Sequence, residues 1–383
     1  MRRVLLVQPS LQPPGGGNAV AAWMVQALRG HTEISVLTWR GADWTPIDRY
    51  FGTALAPDGV LVHAIAPALR RALDLLPTPH AMLRMHALLR RARQLHAARP
   101  YDVLCTANNE ADFGVPGIQY IHYPWASLPR PATDLRWFHH LPGTLRAYWA
   151  LCGLLSDSSW PRMRRNVTLV NSAYIAAKVR DLHGIEPIVL HPPVPGAIPV
   201  TPWETRQNAF VCIGRLSPEK EQVKVVEILE AVRARGHDVA LHLVGTPEGP
   251  SYVARLRALA RRHAAWMTLH EHVDRDALIA LLGRCRFGIH GMVGEHFGIA
   301  VAELQRAGCV SFVPAVGGPR EIVGPEPRQL YESPADAVAK IDAVLRDPAA
   351  ARALHVAAVA RRDLFTTERF VTRFRDLVLA FEA

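Results

Sequence analysis

Short apolar runs alternate with segments of helical periodicity along the first half of the chain. Residues 4–7 are apolar between polar neighbours, which predicts a buried strand, and residues 19–28 repeat apolar positions with the period of a helix. Between them, residues 8–18 predict a loop that contains Gly15, Gly16 and Gly17. Further strands are predicted at residues 33–38, 101–105, 117–122 and 167–172, the last before a helix. Such alternation is typical of a parallel sheet with helices on both faces.

A second alternating series follows a proline-rich stretch. Residues 191–203 contain five prolines and one glycine, so we place a domain linker there. Later strands are predicted at residues 209–213, 239–244, 267–270, 287–290 and 309–313, and helices at residues 222–235, 252–263 and 275–284. The sequence therefore predicts an α/β protein with two Rossmann-like domains, residues 1–195 and 205–365, whose parallel sheets face across a ligand cleft. A C-terminal helix at about residues 366–383 is expected to pack back on the first domain.

The composition fits a folded chain of two domains. Of the 383 residues, 49% are apolar and 20% are charged, which excludes bulk disorder. No apolar run approaches the roughly 20 residues that span a bilayer. Residues 1–7 are basic and then apolar, but the apolar run stops at Gln8, so we predict a first strand and a cytoplasmic protein rather than a signal peptide. The five cysteines lie far apart in sequence, which predicts buried packing positions rather than a zinc site or disulfides.

The formal net charge of +10 indicates affinity for phosphorylated ligands, anionic lipid or nucleic acid. Two arginine-rich stretches, residues 69–99 and 130–165, interleave arginine with leucine or aromatic residues. Each is typical of a helix at a membrane interface or of a core-packing helix with a charged outer face, and the sequence leaves both open. No recognition motif for nucleic acid accompanies the charge, so we expect no nucleic-acid partner.

An acidic loop is the strongest candidate site. Glu295 and Glu303 lie eight positions apart, with Gly298 between them and a predicted strand on either side. Ligands of parallel α/β sheets bind at the carboxyl ends of strands, where this loop should lie. If a helix begins near Gly298, the backbone amides of Phe297 and Ile299 lie at its positive end, which favours phosphate oxygens or sugar hydroxyls.

Three other loops in the second half also follow predicted strands. In the first, Arg215 and Lys220 flank a proline-stiffened turn, and this pair of cations suits a diphosphate. In the second, Gly245 permits close approach of a backbone. The third, residues 316–321, contains two further glycines and offers backbone donors.

Taken together, the ordered motifs G-R-L-S-P-E-K, V-G-T-P, E-H-F-G-I-A-V-A-E and G-G-P-R-E-I resemble the retaining glycosyltransferases of family 4, which have the GT-B fold. The resemblance covers most of the chain and is strongest over residues 210–322. The E-H-F-G-I version looks most like mannosyltransferases that use GDP-mannose. The resemblance implies that Glu295 binds hydroxyls of the donor sugar, that Glu303 binds the ribose, and that Arg215 and Lys220 bind the diphosphate.

In the first half, Gly15–Gly17 are similar to the family's glycine loop beside donor phosphates and acceptor, and His122 is similar to the histidine that faces the transferred sugar. The pair Asn171-Ser172 resembles the family's strand-end pair before a helix.

The chain departs from the pattern in three places. Glu221 stands where glycine is frequent, His290-Gly291 replaces Pro-Ser, and residues 45–99 match no family segment.

The resemblance implies a hexosyltransferase that retains anomeric configuration. We expect mannose from GDP-mannose as the first donor and a UDP-sugar as the second, with a glycan or lipid-linked acceptor and peripheral contact at the inner face of the membrane. Because charged loops and a helix start can neutralise the leaving diphosphate, we expect no metal and no cofactor beyond the donor. Two alternatives stay open, a sugar-nucleotide epimerase or phosphorylase of the same fold and a non-enzymatic scaffold.

Overall fold

The structure is a computed structural model that describes residues 1–55, 59–76, 80–127 and 142–382. The chain divides into two compact units. Met1–Pro195 together with Thr367–Ala383 form the first unit, and Gly196–Thr366 form the second. The break between the units falls inside the proline-rich stretch at residues 191–203, where proline removes backbone donors and interrupts regular structure.

The first unit is built on a parallel sheet. Its strands are β1 (Arg3–Val7), β2 (Glu33–Thr38), β3 (Leu61–Ala64), β4 (Val103–Thr106), β5 (Ile118–Ile121), β6 (Val167–Val170) and β7 (Ile188–Val189). Its helices before the linker are α1 (Gly16–Leu28), α2 (Trp44–Phe51), α3 (Pro67–Asp74), α4 (His80–Ala98), α5 (Pro142–Leu155), α6 (Trp160–Met163) and α7 (Ala173–His183). Over the described ranges, the seven strands follow the order β3-β2-β1-β4-β5-β6-β7.

The second unit repeats this architecture. Its strands are β8 (Gln207–Ile213), β9 (Ala240–Gly245), β10 (Met267–Glu271), β11 (Cys285–Ile289), β12 (Val310–Pro314) and β13 (Leu330–Tyr331). Its helices are α8 (Gln222–Ala234), α9 (Pro250–Arg262), α10 (Arg275–Arg284), α11 (Ile299–Arg306), α12 (Pro319–Val323), α13 (Pro334–Arg346) and α14 (Pro348–Ala360). All paired strands are parallel, and their order is β10-β9-β8-β11-β12-β13.

Strand side chains of the first sheet alternate between two buried faces. Val4 and Leu6 of β1 pack into the cluster that contains α1, whereas Leu5 and Val7 pack into the cluster that contains α4. The last helix, α15 (Thr367–Leu379), returns to the α1 side. Its buried residues recur every four positions, at Phe370, Phe374 and Val378. This spacing gives α15 one apolar stripe, which fixes it to the first unit.

In each sheet, the strand order reverses direction once. In the first unit the reversal lies between β1 and β4, and in the second unit it lies between β8 and β11. Loops that leave the carboxyl ends of these neighbouring strands diverge and leave a crevice. The glycine loop follows β1, the Arg215 loop follows β8 and the acidic loop follows β11, so the predicted site loops lie at these reversals.

Residues 45–99, which matched no family segment, add α2, β3, α3 and α4 to the first unit. The leucines of the basic stretch at residues 69–99 are core residues of α4, namely Leu83, Leu88 and Leu89. For α4 the structure therefore favours the core-packing interpretation over a membrane helix. Every residue of α3, in contrast, is at least partly exposed. Of the second stretch, residues 130–141, with Trp137 and Phe138, lie outside the described residues.

The start of α1 differs from its predicted boundary. The sequence predicted a loop through residue 18, but the helix begins at Gly16. Gly15 is its N-cap, with a positive φ of 135° that favours glycine. The five cysteines are buried and unpaired, as predicted.

Candidate functional site

The acidic loop forms a strand–loop–helix junction, as the sequence predicted. Strand β11 ends at Ile289, and α11 starts at Ile299 after Gly298, whose φ of 98° lies in the left-handed region. The first amides of a helix point out of its N-terminal end and make it electropositive. Phe297 is 3% exposed and packs edge-on against Phe365, which anchors the turn from which α11 departs.

Glu295 is largely buried, with 13% of its side chain exposed, and is ion-paired with Lys220. The Lys220 ammonium donates to Glu295 Oε2, and the Nε2 atom of His290 lies 3.5 Å from the same oxygen. Burial alone raises the pKa of the Glu295 carboxyl, but the charges and hydrogen bonds of Lys220 and His290 outweigh it and hold the pKa well below its usual range. Glu295 is therefore an anion in the folded protein, next to the cation predicted to bind phosphate.

Glu303 is also buried and has a cationic partner that the sequence interpretation missed. Arg275, the first residue of α10, donates to Glu303 Oε1. Arg275 comes four residues after the end of β10, where the chain leaves the carboxyl edge of the sheet. This position was the available signal, because ligands of parallel sheets bind at the carboxyl ends of the strands.

Arg215 extends toward solvent from the end of β8. Its guanidinium contacts Glu219 at 2.9 Å and also pairs with Glu248, and its side chain is half-exposed. Ion pairs of this exposure are weak, so both carboxylates are readily exchanged for another anion. Lys220, by contrast, ends the short 3-10 turn Pro218–Lys220, and its side chain is only 18% exposed.

Glycines allow the loops of the second unit to touch through their backbones. A Cβ at Gly245 would overlap the Gly214 carbonyl oxygen, so the close approach at Gly245 is made by a neighbouring loop. A Cβ at Gly317 would lie 2.8 Å from the Glu295 carbonyl oxygen, and the amide of Gly318 donates to that same oxygen at 2.8 Å. The glycines thus bring the Arg215 loop next to the Gly245 loop, and the acidic loop next to Gly317 and Gly318.

His122 lies beside the glycines in the first unit. It follows β5, and its Nε2 atom is 2.9 Å from the Ala107 carbonyl oxygen, which lies after β4. A Cβ at Gly17 would lie 3.2 Å from the same Nε2 atom, so the first turn of α1 packs directly against the ring. Asn109 accepts a hydrogen bond from the His122 amide at 2.8 Å.

The pair Asn171-Ser172 supports this arrangement. Asn171 donates to the His122 carbonyl at 3.1 Å, and Ser172 caps α7 by accepting from the Ile175 amide at 3.1 Å. The structure therefore assembles the predicted residues in two sets, each within its own unit. Gly15–Gly17 and His122 belong to the first, whereas Arg215, Lys220, Glu295, Phe297–Ile299 and Glu303 belong to the second.

One Asp-x-Asp triplet, Asp274-Arg275-Asp276, occurs at the start of α10. Asp274 is a helix cap, since it accepts from the Ala277 amide at 2.8 Å. Within the described ranges, no group of three or more His, Cys, Asp or Glu residues is arranged to hold a metal ion. That the protein needs no metal therefore stays a prediction. No helix in these ranges has the length and apolar character needed to cross a membrane.

Comparison with known proteins finds a family match within the second unit. Residues 197–361 match the family described as glycosyl transferases group 1. Relatives include the GDP-Man:Man(3)GlcNAc(2)-PP-Dol alpha-1,2-mannosyltransferases of Candida glabrata, 28% identical over 228 residues, and of Neurospora crassa, 28% identical over 251 residues. Each match covers 54% of this chain but only 44% and 45% of the relative, so the chain spans less than half of the curated relatives it matches.

Solved structures extend the likeness to the whole chain. Anabaena HepE in complex with UDP superimposes with a TM-score of 0.68 at 15% identity, and sucrose-phosphate synthase from Thermosynechococcus elongatus with 0.65 at 16% identity. Both alignments cover 100% of either chain. At this identity the likeness establishes the fold alone, and the predicted GT-B class with two Rossmann-like domains is confirmed.

Proposed function

We propose that this chain, whose residues 197–361 belong to the glycosyl transferases group 1 family, transfers mannose from GDP-mannose to a hydroxyl of a lipid-linked glycan with retention of anomeric configuration. The observation that carries the proposal is the partly buried Lys220–Glu295 ion pair beside the start of α11, at the reversal of strand order in the second unit. It combines a cation for a diphosphate with a carboxylate for sugar hydroxyls at one strand edge.

Binding of the donor would exchange the ion pairs of the site. A diphosphate carries more charge than one carboxylate, so it attracts the Lys220 ammonium and the exposed Arg215 guanidinium. Glu295, once released from Lys220, has a free oxygen for hydroxyls of the transferred sugar. Glu303, held by Arg275, accepts from the ribose hydroxyls.

The chemistry would consist mainly of stabilising the departing diphosphate. Lys220, Arg215 and the positive end of α11 oppose the charge that grows on the leaving group as the glycosidic bond lengthens. The sugar then resembles an oxocarbenium ion, and the acceptor hydroxyl attacks from the face that the diphosphate leaves. The acceptor proton passes to the departing phosphate oxygen. His122 and the glycines of the first unit are proposed to bind sugar and phosphate.

The donor base and the acceptor rest on the names of relatives. The curated relatives are named as mannosyltransferases that use GDP-mannose and a glycan on dolichyl pyrophosphate, whereas HepE was solved with UDP. Thermal unfolding in the presence of GDP, UDP and ADP separates these donors. We expect GDP to raise the Tm most, and a larger shift with UDP would replace the donor in the proposal.

Single substitutions at the ion pair test the function. We expect Lys220→Ala to weaken GDP binding at least tenfold and to lower mannosyl transfer at least 100-fold, because both phosphate binding and leaving-group stabilisation lose a charge. Glu295→Gln should lower transfer similarly yet keep GDP affinity within a few-fold, because Lys220 then has no competing carboxylate. Calorimetry measures the affinity for GDP, and the release of GDP from GDP-mannose measures mannosyl transfer.

Lys224→Ala is the matched control for this experiment. Lys224 lies on α8 in the same unit and pairs with Glu221 at 3.1 Å, so its loss should leave transfer within twofold of the original protein. Near-normal transfer by Lys220→Ala or Glu295→Gln would contradict the assignment. Consumption of GDP-mannose at full rate without any acceptor would indicate an epimerase instead.

Peripheral membrane contact is a second part of the proposal. The net charge is +10, and α5 and α6 expose Leu151, Leu154 and Trp160 to solvent at 65%, 78% and 49%. We expect the protein to sediment with vesicles that contain anionic lipid at low salt and to dissociate as salt rises toward 0.5 M, because the screening length falls from about 10 Å at 0.1 M to about 4 Å. Absence of binding at low salt would remove membrane contact from the proposal.

A further inference from the structure

A cavity of about 420 Å³ lies in the first unit, apart from His122 and the glycine loop. It is lined by α4, the loops after β4 and β5, α5 and α6, and it opens to solvent on one side. Its volume falls within the range of small-molecule sites. The large apolar side chains of its lining include Met82, Leu89, Trp125, Trp149, Leu154 and Met163.

The two buried carboxylates of the lining, Glu110 and Asp112, have their partners within the wall. Glu110 accepts from the Trp125 amide at 2.9 Å and contacts His183 at 3.0 Å. Asp112 contacts the guanidinium groups of Arg93 and Arg162, each at 3.0 Å. These carboxylates need no further partner, so an apolar ligand can contact the lining without leaving a charge unpaired.

One donor of the wall, in contrast, lacks a partner. The indole Nε1 of Trp125 is buried and makes no hydrogen bond to any described residue. A buried donor of this kind costs stability unless a ligand satisfies it. Because indole can only donate, the ligand atom that it suits is an oxygen.

The rim of the cavity continues as an apolar surface. Leu154 lines the cavity and is 78% exposed, and Trp160 lines it and is 49% exposed. Leu151, which lies on α5 together with Leu154, is 65% exposed. Arg146 of α5, which is exposed, adds a cation to the lining. An apolar chamber, an apolar rim, a cation and one oxygen-binding donor match an amphiphile with a phosphate head.

We propose that this cavity binds the apolar chain of a prenyl or acyl phosphate, and so holds the lipid part of the acceptor. About 150 Å³ accommodates the six carbons of benzene, so by proportion the cavity of about 420 Å³ has room for roughly seventeen carbons. This inference rests on the proposed function for the identity of the lipid as acceptor, but the binding itself can be measured without any transfer.

Gly153 provides a substitution that fills the cavity without disturbing the fold. It lines the cavity from within α5, and a Cβ built on it meets no atom within 4 Å. Leucine is also a better helix former than glycine. We expect Gly153→Leu to fold normally and to weaken binding of farnesyl phosphate, whose chain has about the length that fits, at least tenfold.

Gly143→Leu is the matched control, because Gly143 lies on the same helix, also has open space around its Cβ, and is absent from the described lining. Titration of the full chain in detergent-free buffer, followed by tryptophan fluorescence and calorimetry, gives the affinities. We expect saturable one-to-one binding to the original protein and to Gly143→Leu, and no binding of inorganic phosphate. Trp125→Phe, which keeps an aromatic ring but loses the donor, should weaken binding several-fold.

Unchanged affinity in Gly153→Leu, or equal binding of inorganic phosphate, would overturn the proposal, and so would the absence of saturable binding. These failures are distinct from failure of the proposed function. Gly153→Leu should leave GDP binding unchanged, whereas Lys220→Ala should leave farnesyl phosphate binding unchanged. A protein that transfers mannose to a soluble glycan yet binds no farnesyl phosphate would retain its function and lose this site.

Discussion

Glu221 and Gly291 are two of the positions at which the sequence departs from the family pattern, and they lie in contact. Glu221 has a φ of 57°, which is unfavourable for a residue with a Cβ. A Cβ at Gly291 would lie 2.9 Å from the carbonyl oxygens of both Lys220 and Glu221, and 3.0 Å from Glu221 Cβ. The absence of a side chain at Gly291 therefore leaves room for the side chain of Glu221 and for the backbone of Lys220 and Glu221.

We predict opposite effects of substitution at these two positions. Glu221→Gly should stabilise the protein by about 1 kcal/mol, because it relieves the left-handed conformation and loses only the exposed Lys224 pair. Gly291→Ala should destabilise it by about 1–3 kcal/mol through the clash. Urea unfolding of both single variants and of the double variant measures this. A double variant that is more stable than the sum of the two single effects would support the contact between the two positions, whereas no loss of stability in Gly291→Ala would contradict it.

Helix α1 shows how an element can position a functional side chain. Its first turn contains Gly16 and Gly17, which are poor helix formers, yet the helix begins there. The glycine at position 17 is explained by the short distance to His122, whose Nε2 atom would lie 3.2 Å from a Cβ at Gly17. The helix start can approach the ring of His122 this closely only because Gly17 has no side chain.

We predict that Gly17→Ala separates stability from activity. Alanine favours the helix by up to about 1 kcal/mol, which offsets the contact with the ring, so the Tm should change by no more than a few degrees. Transfer should fall at least tenfold, because the ring of His122 must shift. Gly143→Ala, a helical glycine with open space, is the control and should keep full activity. Equal activity of the two variants would remove His122 and Gly17 from the site.

Each unit of the molecule contains a histidine whose neutral form is stabilised in the folded state. Burial, aided by the charge of Arg93, lowers the pKa of His86 to about 4. Burial also lowers the pKa of His242 to about 4, with contributions from His270 and Arg284. His86 further contacts Ser156 at 2.6 Å. In the unfolded chain both imidazoles titrate near pH 6.5.

We predict that the free energy of unfolding is largest above pH 6.5 and decreases as the pH falls toward 4. Over this range the unfolded chain binds protons that the folded chain does not, so each histidine contributes a slope of up to about 1.4 kcal/mol per pH unit. Thermal unfolding between pH 8 and 4 measures the total. His86→Gln and His242→Gln should each make stability depend less on pH. An unaltered pH dependence in both variants would refute the attribution to these two histidines.

The sequence identified most elements and the site loops, because apolar periodicity reflects local geometry. The strand at Glu33–Thr38 and the helix at Arg275–Arg284 have the predicted bounds, and the acidic loop lies between a strand and a helix as expected. Within residues 45–99, α3 could not be predicted, because it is at least partly exposed throughout and has no buried face that would give a pattern.

What the sequence determined by itself was the fold class and the charged residues of the site, since both follow from local patterns and motif order. Only the tertiary structure decided which charges meet. Lys220 and Glu295 are 75 positions apart, and Arg275 and Glu303 are 28 apart, so no local pattern pairs them. They meet because β8, β10 and β11 belong to one parallel sheet, which gathers the carboxyl ends of its strands along one edge.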